Sequence, residues 1–230
     1  MSWYTKAENL KMNKSKNLCF FVDMDETLLS SEGLVSVLIA NYFGGKIADL
    51  SSEQRINIME DNGYEIILDE ETTNPIVSKL RPYAKEFLSY LSGLGNIYLC
   101  TNATQDYADA ALNHFGLSSF FKGKYYRNEI KSLRIKPCDN YFLIDDLPFD
   151  QLQGKFQFLG VPTPKWRGIN NEEYEKEVEI INQQYGPRHI KVRPYYGENN
   201  DTELNSVMGK ISQLPLFESR GLNSDIQHKS

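Results

Sequence analysis

The chain has 230 residues, 40% of them hydrophobic, enough to bury one large α/β domain or two small ones. Its formal charge of -6 leaves no global basic footprint, which disfavours a nucleic-acid partner bound through phosphate-backbone contacts. Cys19, Cys100 and Cys138 form no CxxC pair, and His114, His189 and His228 have no HxxxH partner, so no disulfide framework and no thiolate or imidazole metal site is indicated.

Residues 1–17 are polar and lysine-rich, with no apolar signal segment, and are read as an N-terminal arm. Nowhere is there a run of about 18 apolar residues, so a soluble intracellular protein, cytoplasmic or nuclear and without a membrane partner, is expected. Leu18 to Val22 is an unbroken apolar run that reads as a buried strand and ends in Asp23 and Asp25. In an open α/β sheet the ligand site lies beyond the carboxyl ends of the strands. Two acids there can share one pocket, where each makes the other costly to ionise unless a cation such as Mg²⁺ neutralises them. One could attack as a nucleophile while the other transfers a proton. A turn with a solvated or helix-capping carboxylate is the plainer reading of the same residues.

Residues 30–78 read as a small cap inserted after the first strand: an apolar segment Leu34–Phe43, then Ile56–Met59 and Tyr64–Leu68 flanking Asp61-Asn62-Gly63 as a hairpin. Pro82 is placed at the first position of a helix carrying Tyr83, Phe87, Leu88, Leu91 and Leu94 and ending at Gly95. Asn96 to Cys100 is a second buried strand, ending at Thr101-Asn102 before a helix from Gln105 to Phe115. Thr101 could bind a phosphate oxygen at that helix N-terminus or simply cap the helix.

Phe120 to Ile135, with Lys122, Lys124, Arg127, Lys131 and Arg134, reads as solvated charged surface. Tyr141 to Ile144 is a third apolar strand, delivering Asp145 and Asp146 to the same edge. Residues 154–188, with Pro-bracketed turns around Trp166 and a helix over Asn171–Gln184, read as a peripheral insertion. Ile190–Val192 is an edge strand, Asp201–Leu214 a closing helix, and 218–230 a flexible tail to the 18–217 domain. The expected fold is α/β: a Rossmann-like parallel sheet flanked by helices, with a small partial cap after the first strand.

Val22-Asp23-Met24-Asp25-Glu26-Thr27-Leu28 resembles the DxDxT signature of haloacid dehalogenase-like (HAD) phosphatases, in the form found in the C-terminal-domain, or NLI-interacting-factor-like, branch. Lys79-Leu80-Arg81-Pro82, Thr101-Asn102-Ala103 with Tyr107-Ala108-Asp109, Lys131-Ser132-Leu133, Leu143-Ile144-Asp145-Asp146 and Asp201-Thr202-Glu203-Leu204 are similar to later motifs of that branch. The resemblance implies that Asp23 attacks phosphorus to form an aspartyl-phosphate and that Asp25 is the general acid and base. Thr27, Thr101, Asn102 and Lys131 would serve the phosphoryl group, with Lys136 a rival for the lysine. Asp23, Asp25 through its carbonyl, Asp145 and Asp146 would hold Mg²⁺. Arg81 either binds a substrate anion or lies beside the Pro that opens a helix. The partial cap between Thr27 and Lys79 is too small to enclose a metabolite, so phosphoserine or phosphothreonine in a protein is the expected substrate. Alternatives are a nucleotide or nucleic-acid-end phosphatase, a phosphotransferase or mutase, and a non-catalytic phospho-binding protein.

Overall fold

The structure, a computed structural model of the chain, describes residues 18–31, 51–67, 76–135, 138, 140–162 and 171–214. The terminal arm and tail, the Leu34–Phe43 segment, Lys136 and the turns around Trp166 lie outside the described residues. A five-stranded sheet forms the centre, built from β1 (Leu18–Val22), β5 (Asn96–Cys100), β6 (Gly123–Tyr125), β7 (Asn140–Asp145) and β8 (His189–Lys191). Its order is β6-β5-β1-β7-β8, and every neighbouring pair is parallel. β1 therefore lies in the middle, with Phe20 opposite Ile97 on one side and Phe142 on the other.

A strand alternates its side chains between two faces, and both faces of β1 are covered. Leu18, Phe20 and Val22 join a core with Phe87, Leu88 and Leu91 of α2 (Ala84–Leu94), Ala108 and Leu112 of α3 (Gln105–His114), and Leu204, Val207 and Ile211 of α7 (Glu203–Ser212). Cys19 and Phe21 face the opposite side, with Ile130 of α4 (Arg127–Ser132) and with Leu152, Phe156 and Phe158 in and beside α5 (Gln153–Phe158). The longest helix among the described residues, α6 (Asn171–Tyr185), sends Ile181 and Tyr185 to this second cluster. α2 shows why its sequence folds as it does: Ala84, Phe87, Leu88, Leu91 and Leu94 recur at helical spacing and all are buried. It ends at Gly95, where a Cβ would stand 2.5 Å from the Leu18 carbonyl oxygen, so the helix-to-strand connection needs a residue without a side chain.

The cap is a separate antiparallel sheet of order β2-β4-β3, from β2 (Leu29–Ser31), β4 (Ile76–Leu80) and β3 (Glu65–Ile67), with α1 (Ser52–Asp61) before β3. The Ile56–Met59 stretch is helical here, which corrects the hairpin expected around Asn62-Gly63. Ser51 and Gln54 form a capping box that starts α1. Asn62 caps its far end, and Gly63, at φ 78°, takes the left-handed turn that closes a helix. Pro82 likewise precedes α2 by two residues, because β4 runs to Leu80 and Tyr83 stands in a left-handed conformation as the N-cap. The basic stretch after Phe120 contributes edge strand β6 and α4 rather than surface alone. Cys19 and Cys138 are joined by a disulfide with Cα atoms 6.3 Å apart, a pairing that their separation of 119 residues did not indicate. Among the described residues no helix is long and apolar enough to cross a membrane.

Candidate active site

Asp23 is the first residue past β1, and its amide continues the parallel ladder by donating to the Ile144 carbonyl at 2.9 Å. Pairing on both sides of β1 thus fixes the backbone that carries this carboxylate. The chain then turns sharply. Glu26 adopts a left-handed conformation at φ 59°, and the amides of Leu28 and Leu29 both donate to the Met24 carbonyl, at 2.8 and 3.1 Å. Such a conformation is costly for a residue with a side chain and persists only where the surroundings enforce it. Here the Glu26 carbonyl accepts from the Tyr195 amide at 2.8 Å and from Arg81 Nη1 at 3.3 Å, and the Thr27 carbonyl accepts from the same Nη1 at 3.1 Å.

The turn leaves Asp23 and Asp25 on the wall of one cavity of about 340 Å³, which Glu26, Thr101, Asn102, Thr104, Tyr107, Arg127, Asp146 and Lys155 also line. Asp23, Thr101, Asp146 and Lys155 are buried, whereas Asn102, Thr104 and Arg127 are exposed and bring the mouth to solvent. The Tyr107 hydroxyl donates to Asp25 Oδ1 at 2.5 Å. Thr101 Oγ1 accepts from the Ala103 amide at 3.1 Å, and Arg127 Nε donates to the Asn102 carbonyl at 2.7 Å.

Of the expected site residues, Asp23, Asp25, Thr101, Asn102 and Asp146 come together at this cavity, and four do not line it. Thr27 is buried behind the wall, where its hydroxyl donates to Asp146 Oδ1 at 3.3 Å. Asp145 is also behind it, accepting from the Leu147 amide at 3.0 Å through Oδ1 and from Lys155 Nζ at 2.6 Å through Oδ2. Arg81, 1% exposed, is bound bidentately to Asp201, Nε to Oδ1 at 3.0 Å and Nη2 to Oδ2 at 3.1 Å. It joins the loop after Asp25 to the start of α7. Both readings of Arg81, as an anion ligand or as the bystander of a Pro, therefore give way to a structural one.

Lys131 stands exposed on α4, and the buried lysine of the site is Lys155 instead. Its Nζ lies 2.8 Å from Asp23 Oδ1 and 2.6 Å from Asp145 Oδ2. The contact with Asp23 is an ionic one, since Oδ1 makes no hydrogen bond of normal geometry. The sequence held a signal for this residue. Leu152, Lys155, Phe156 and Leu159 stand at i, i+3, i+4 and i+7, so the lysine occupies a place in an apolar helical stripe, where a cation is kept only if paired.

Burial pushes the Asp23 carboxyl up to about 6. Lys155 opposes that shift without cancelling it, because one ammonium is shared between Asp23 and Asp145. Burial raises Asp25 to about 6 against the Tyr107 hydrogen bond, and raises Asp146 to about 7 with the charge of Asp23 adding to it. Oxygens of Asp23, Asp145 and Asp146 lie within 4.8 Å of one another. Asp145 is already engaged, so Asp23 and Asp146 carry the acceptor capacity at the cavity. Three buried carboxylates crowded this closely are a donor set suited to a hard divalent cation.

A pH dependence follows. Folded values above the ordinary 3.8 mean that protons favour the fold through these groups. Their contribution is complete below about pH 4 and is lost as pH rises through 6 to 7. A divalent cation held by these carboxylates would take over the protons' work, and addition of millimolar Mg²⁺ would then raise the melting temperature clearly at pH 8 and hardly at pH 5. An equal rise at both values, or an undiminished rise in Asp146→Asn, would place the cation elsewhere.

A family model described as NLI interacting factor-like phosphatase matches residues 18–219. No curated protein sequence matches the chain. Among solved structures, the chain is similar to a variant of the fission yeast RNA polymerase II CTD phosphatase Fcp1 bound to beryllium fluoride, at 17% identity and a TM-score of 0.45, over 96% of this chain and 69% of that one. A second Fcp1 structure, of an essential RNA polymerase II CTD phosphatase, gives 19% identity and 0.46 over 98% and 70%. The putative HAD-hydrolase YfnB from Bacillus subtilis gives 16% and 0.37 over 73% and 100%.

Proposed function

The chain belongs to the NLI interacting factor-like phosphatases, and on that footing we propose that it is a Mg²⁺-dependent phosphomonoesterase acting on phosphoserine or phosphothreonine within a protein. The observation that carries the substrate reading is the cavity wall. Asp23, Asp25, Thr101 and Asp146 converge there, its rim is exposed, and none of the lining residues comes from the cap strands or α1. The described cap is also tied down beside the cavity. Lys79 Nζ donates to Asn62 O and Asn199 Oδ1, both at 2.6 Å, and the Tyr64 hydroxyl donates to the Tyr196 carbonyl at 3.2 Å. Among the described residues the cap contributes nothing to the cavity wall, and a site open on that side suits a residue presented on a chain.

In the proposed reaction an Asp23 carboxylate oxygen attacks phosphorus in line. The new O–P bond forms as the bond to the seryl or threonyl oxygen breaks, and that oxygen takes a proton from Asp25. Asp25 then removes a proton from water, whose oxygen attacks phosphorus. The bond to Asp23 breaks, freeing the carboxylate and inorganic phosphate. Tyr107 holds Asp25 in place through both proton transfers, and the Thr101 hydroxyl binds a phosphoryl oxygen. Mg²⁺, held by Asp23, Asp146 and the Asp25 carbonyl with Asp145 behind them, would offset the charge of a phosphate entering among carboxylates.

The test is phosphate release from an aryl phosphate with and without Mg²⁺, followed by phosphoserine and phosphothreonine peptides against mononucleotides. We expect metal-dependent release, with kcat/KM for the peptides at least tenfold higher. The reverse order would make the protein a nucleotide or nucleic-acid-end phosphatase, and metal-independent release would remove the Mg²⁺ assignment.

A further inference from the structure

We propose that Tyr196 contacts the substrate: its ring is a platform beside the cavity for the side chain next to the phosphorylated residue, and it favours an arginine or lysine there. This rests on the phosphatase reading and narrows the class of polypeptide that the site takes.

The sheet order puts Tyr196 on a definite side of the site. Thr101, Asn102 and Arg127 follow β5 and β6, to one side of Asp23, whereas Asp146 and residues 195–201 follow β7 and β8, to the other. Residues 195–201 form a strap that is tied down repeatedly. The Tyr195 amide donates to the carbonyl of Glu26, a residue of the cavity wall, at 2.8 Å. The Tyr196 amide donates to Glu198 Oε2 at 3.1 Å, and its carbonyl accepts from the Tyr64 hydroxyl at 3.2 Å. Gly197, at φ 95°, runs so close to Tyr64 that a Cβ would stand 2.0 Å from the phenol oxygen. Lys79 then holds Asn199, and Arg81 holds Asp201.

A backbone clamped in this way would ordinarily carry a packed side chain. Tyr196 does the reverse. Among the described residues its hydrogen bonds are all made by its backbone, its ring stacks on no other ring or cation, and the residue is 36% exposed. Single exposed apolar side chains are common, and Tyr83, Leu133 and Ile180 are others in this chain. Of these four, Tyr196 is the one that directly follows a residue bonded to the cavity wall. An aromatic ring on a fixed backbone supplies contact area at little entropic cost.

The surrounding charge sets what the ring prefers. Burial raises the Tyr196 phenol above its ordinary value, and the carboxylates of Glu26, Asp146 and Glu198 add to the rise. Glu198 is paired with Arg193 at 3.5 Å, and Asp146 belongs to the proposed metal set. Glu26 makes no salt bridge among the described residues. A cation entering on this side gains the face of the ring and the charge of Glu26 together, whereas an acidic side chain meets repulsion.

The experiment uses phosphoserine peptides with Arg, Gly or Glu directly before or directly after the phosphoserine, and a mononucleotide beside them. Each kcat/KM is taken relative to N-acetylphosphoserine amide, which has the phosphoryl group and no neighbours. Wild type should favour Arg over Glu by about tenfold at one of the two positions, with Gly between them. Tyr196→Ala should cut that preference at least about threefold, through KM, and Tyr196→Phe should keep it, because the ring and not the hydroxyl makes the contact. With only its backbone bonded, Tyr196→Ala should fold as wild type does.

The proposal is overturned if neither position prefers Arg, if Tyr196→Ala cuts the preference less than that, or if Tyr196→Phe loses as much as Tyr196→Ala. A loss confined to the mononucleotide would assign the ring to a base and overturn it too. In all of these cases turnover of the reference compound leaves the phosphatase reading standing. A wild type inactive on every phosphomonoester with Mg²⁺ would overturn both.

Discussion

Asp23→Asn is expected to lower turnover by at least about 10⁴-fold, the scale seen when a nucleophile is removed from a site that otherwise keeps its binding groups. The amide is nearly isosteric with the carboxylate but cannot form the covalent phosphoryl ester. The structure also predicts that the variant folds. Asp23 is one of several buried carboxylates, its ionised form is opposed by burial, and Lys155 keeps Asp145 as a partner. The metal-free variant should therefore melt no lower than wild type near pH 7, which separates lost chemistry from lost structure. Residual activity above about one hundredth of wild type in freshly prepared protein, with no slow deamidation back to Asp, would mean that another group attacks phosphorus.

Arg81→Met should cost about 3–5 kcal/mol of stability, as expected for a broken buried pair. It leaves Asp201, 3% exposed, without its bidentate partner. Arg193 and the Glu203 amide still contact Asp201, which points to the lower end of that range. Burial tends to raise the Asp201 carboxyl, but the Arg81 hydrogen bonds outweigh it and hold the group below its ordinary value. This contribution is therefore present above about pH 4 and fades as pH falls below it. Urea unfolding of Arg81→Met, Asp201→Asn and the double variant should show the double costing less than the sum of the singles. A loss under about 1 kcal/mol in Arg81→Met, together with a raised KM, would return Arg81 to the substrate.

Much of the site was legible because each acid follows an apolar run. Val22-Asp23 and Ile144-Asp145 mark strand ends without knowledge of their neighbours, and parallel pairing then brings them side by side. Thr101 follows Cys100 by the same rule. The cap was misread at Asn62-Gly63, since that dipeptide closes a helix as readily as a hairpin. The decisive local sign is the capping box of Ser51 and Gln54, which opens a helix that Asn62 closes. Lys155 and Arg81 were harder for another reason. A long cation's partner is chosen by tertiary approach, and nothing adjacent to Arg81 in sequence announces Asp201, 120 residues away. Thr27 was placed at the substrate because its motif is contiguous with the acids, yet the left-handed turn at Glu26 carries it behind them.

The central position of β1 also bears on how the protein comes into being. Of the described strands, the one that leads to Asp23 is synthesised first, and both of its sheet partners, Asn96–Cys100 and Asn140–Asp145, follow much later. Until they emerge, five consecutive apolar residues have no ladder to join, and parallel pairing admits no local hairpin as a shelter. A nascent chain interrupted in that interval would carry Leu18–Val22 as an unpaired, aggregation-prone strand. The strand at the centre of the finished sheet thus matures only when later parts of the chain have been translated.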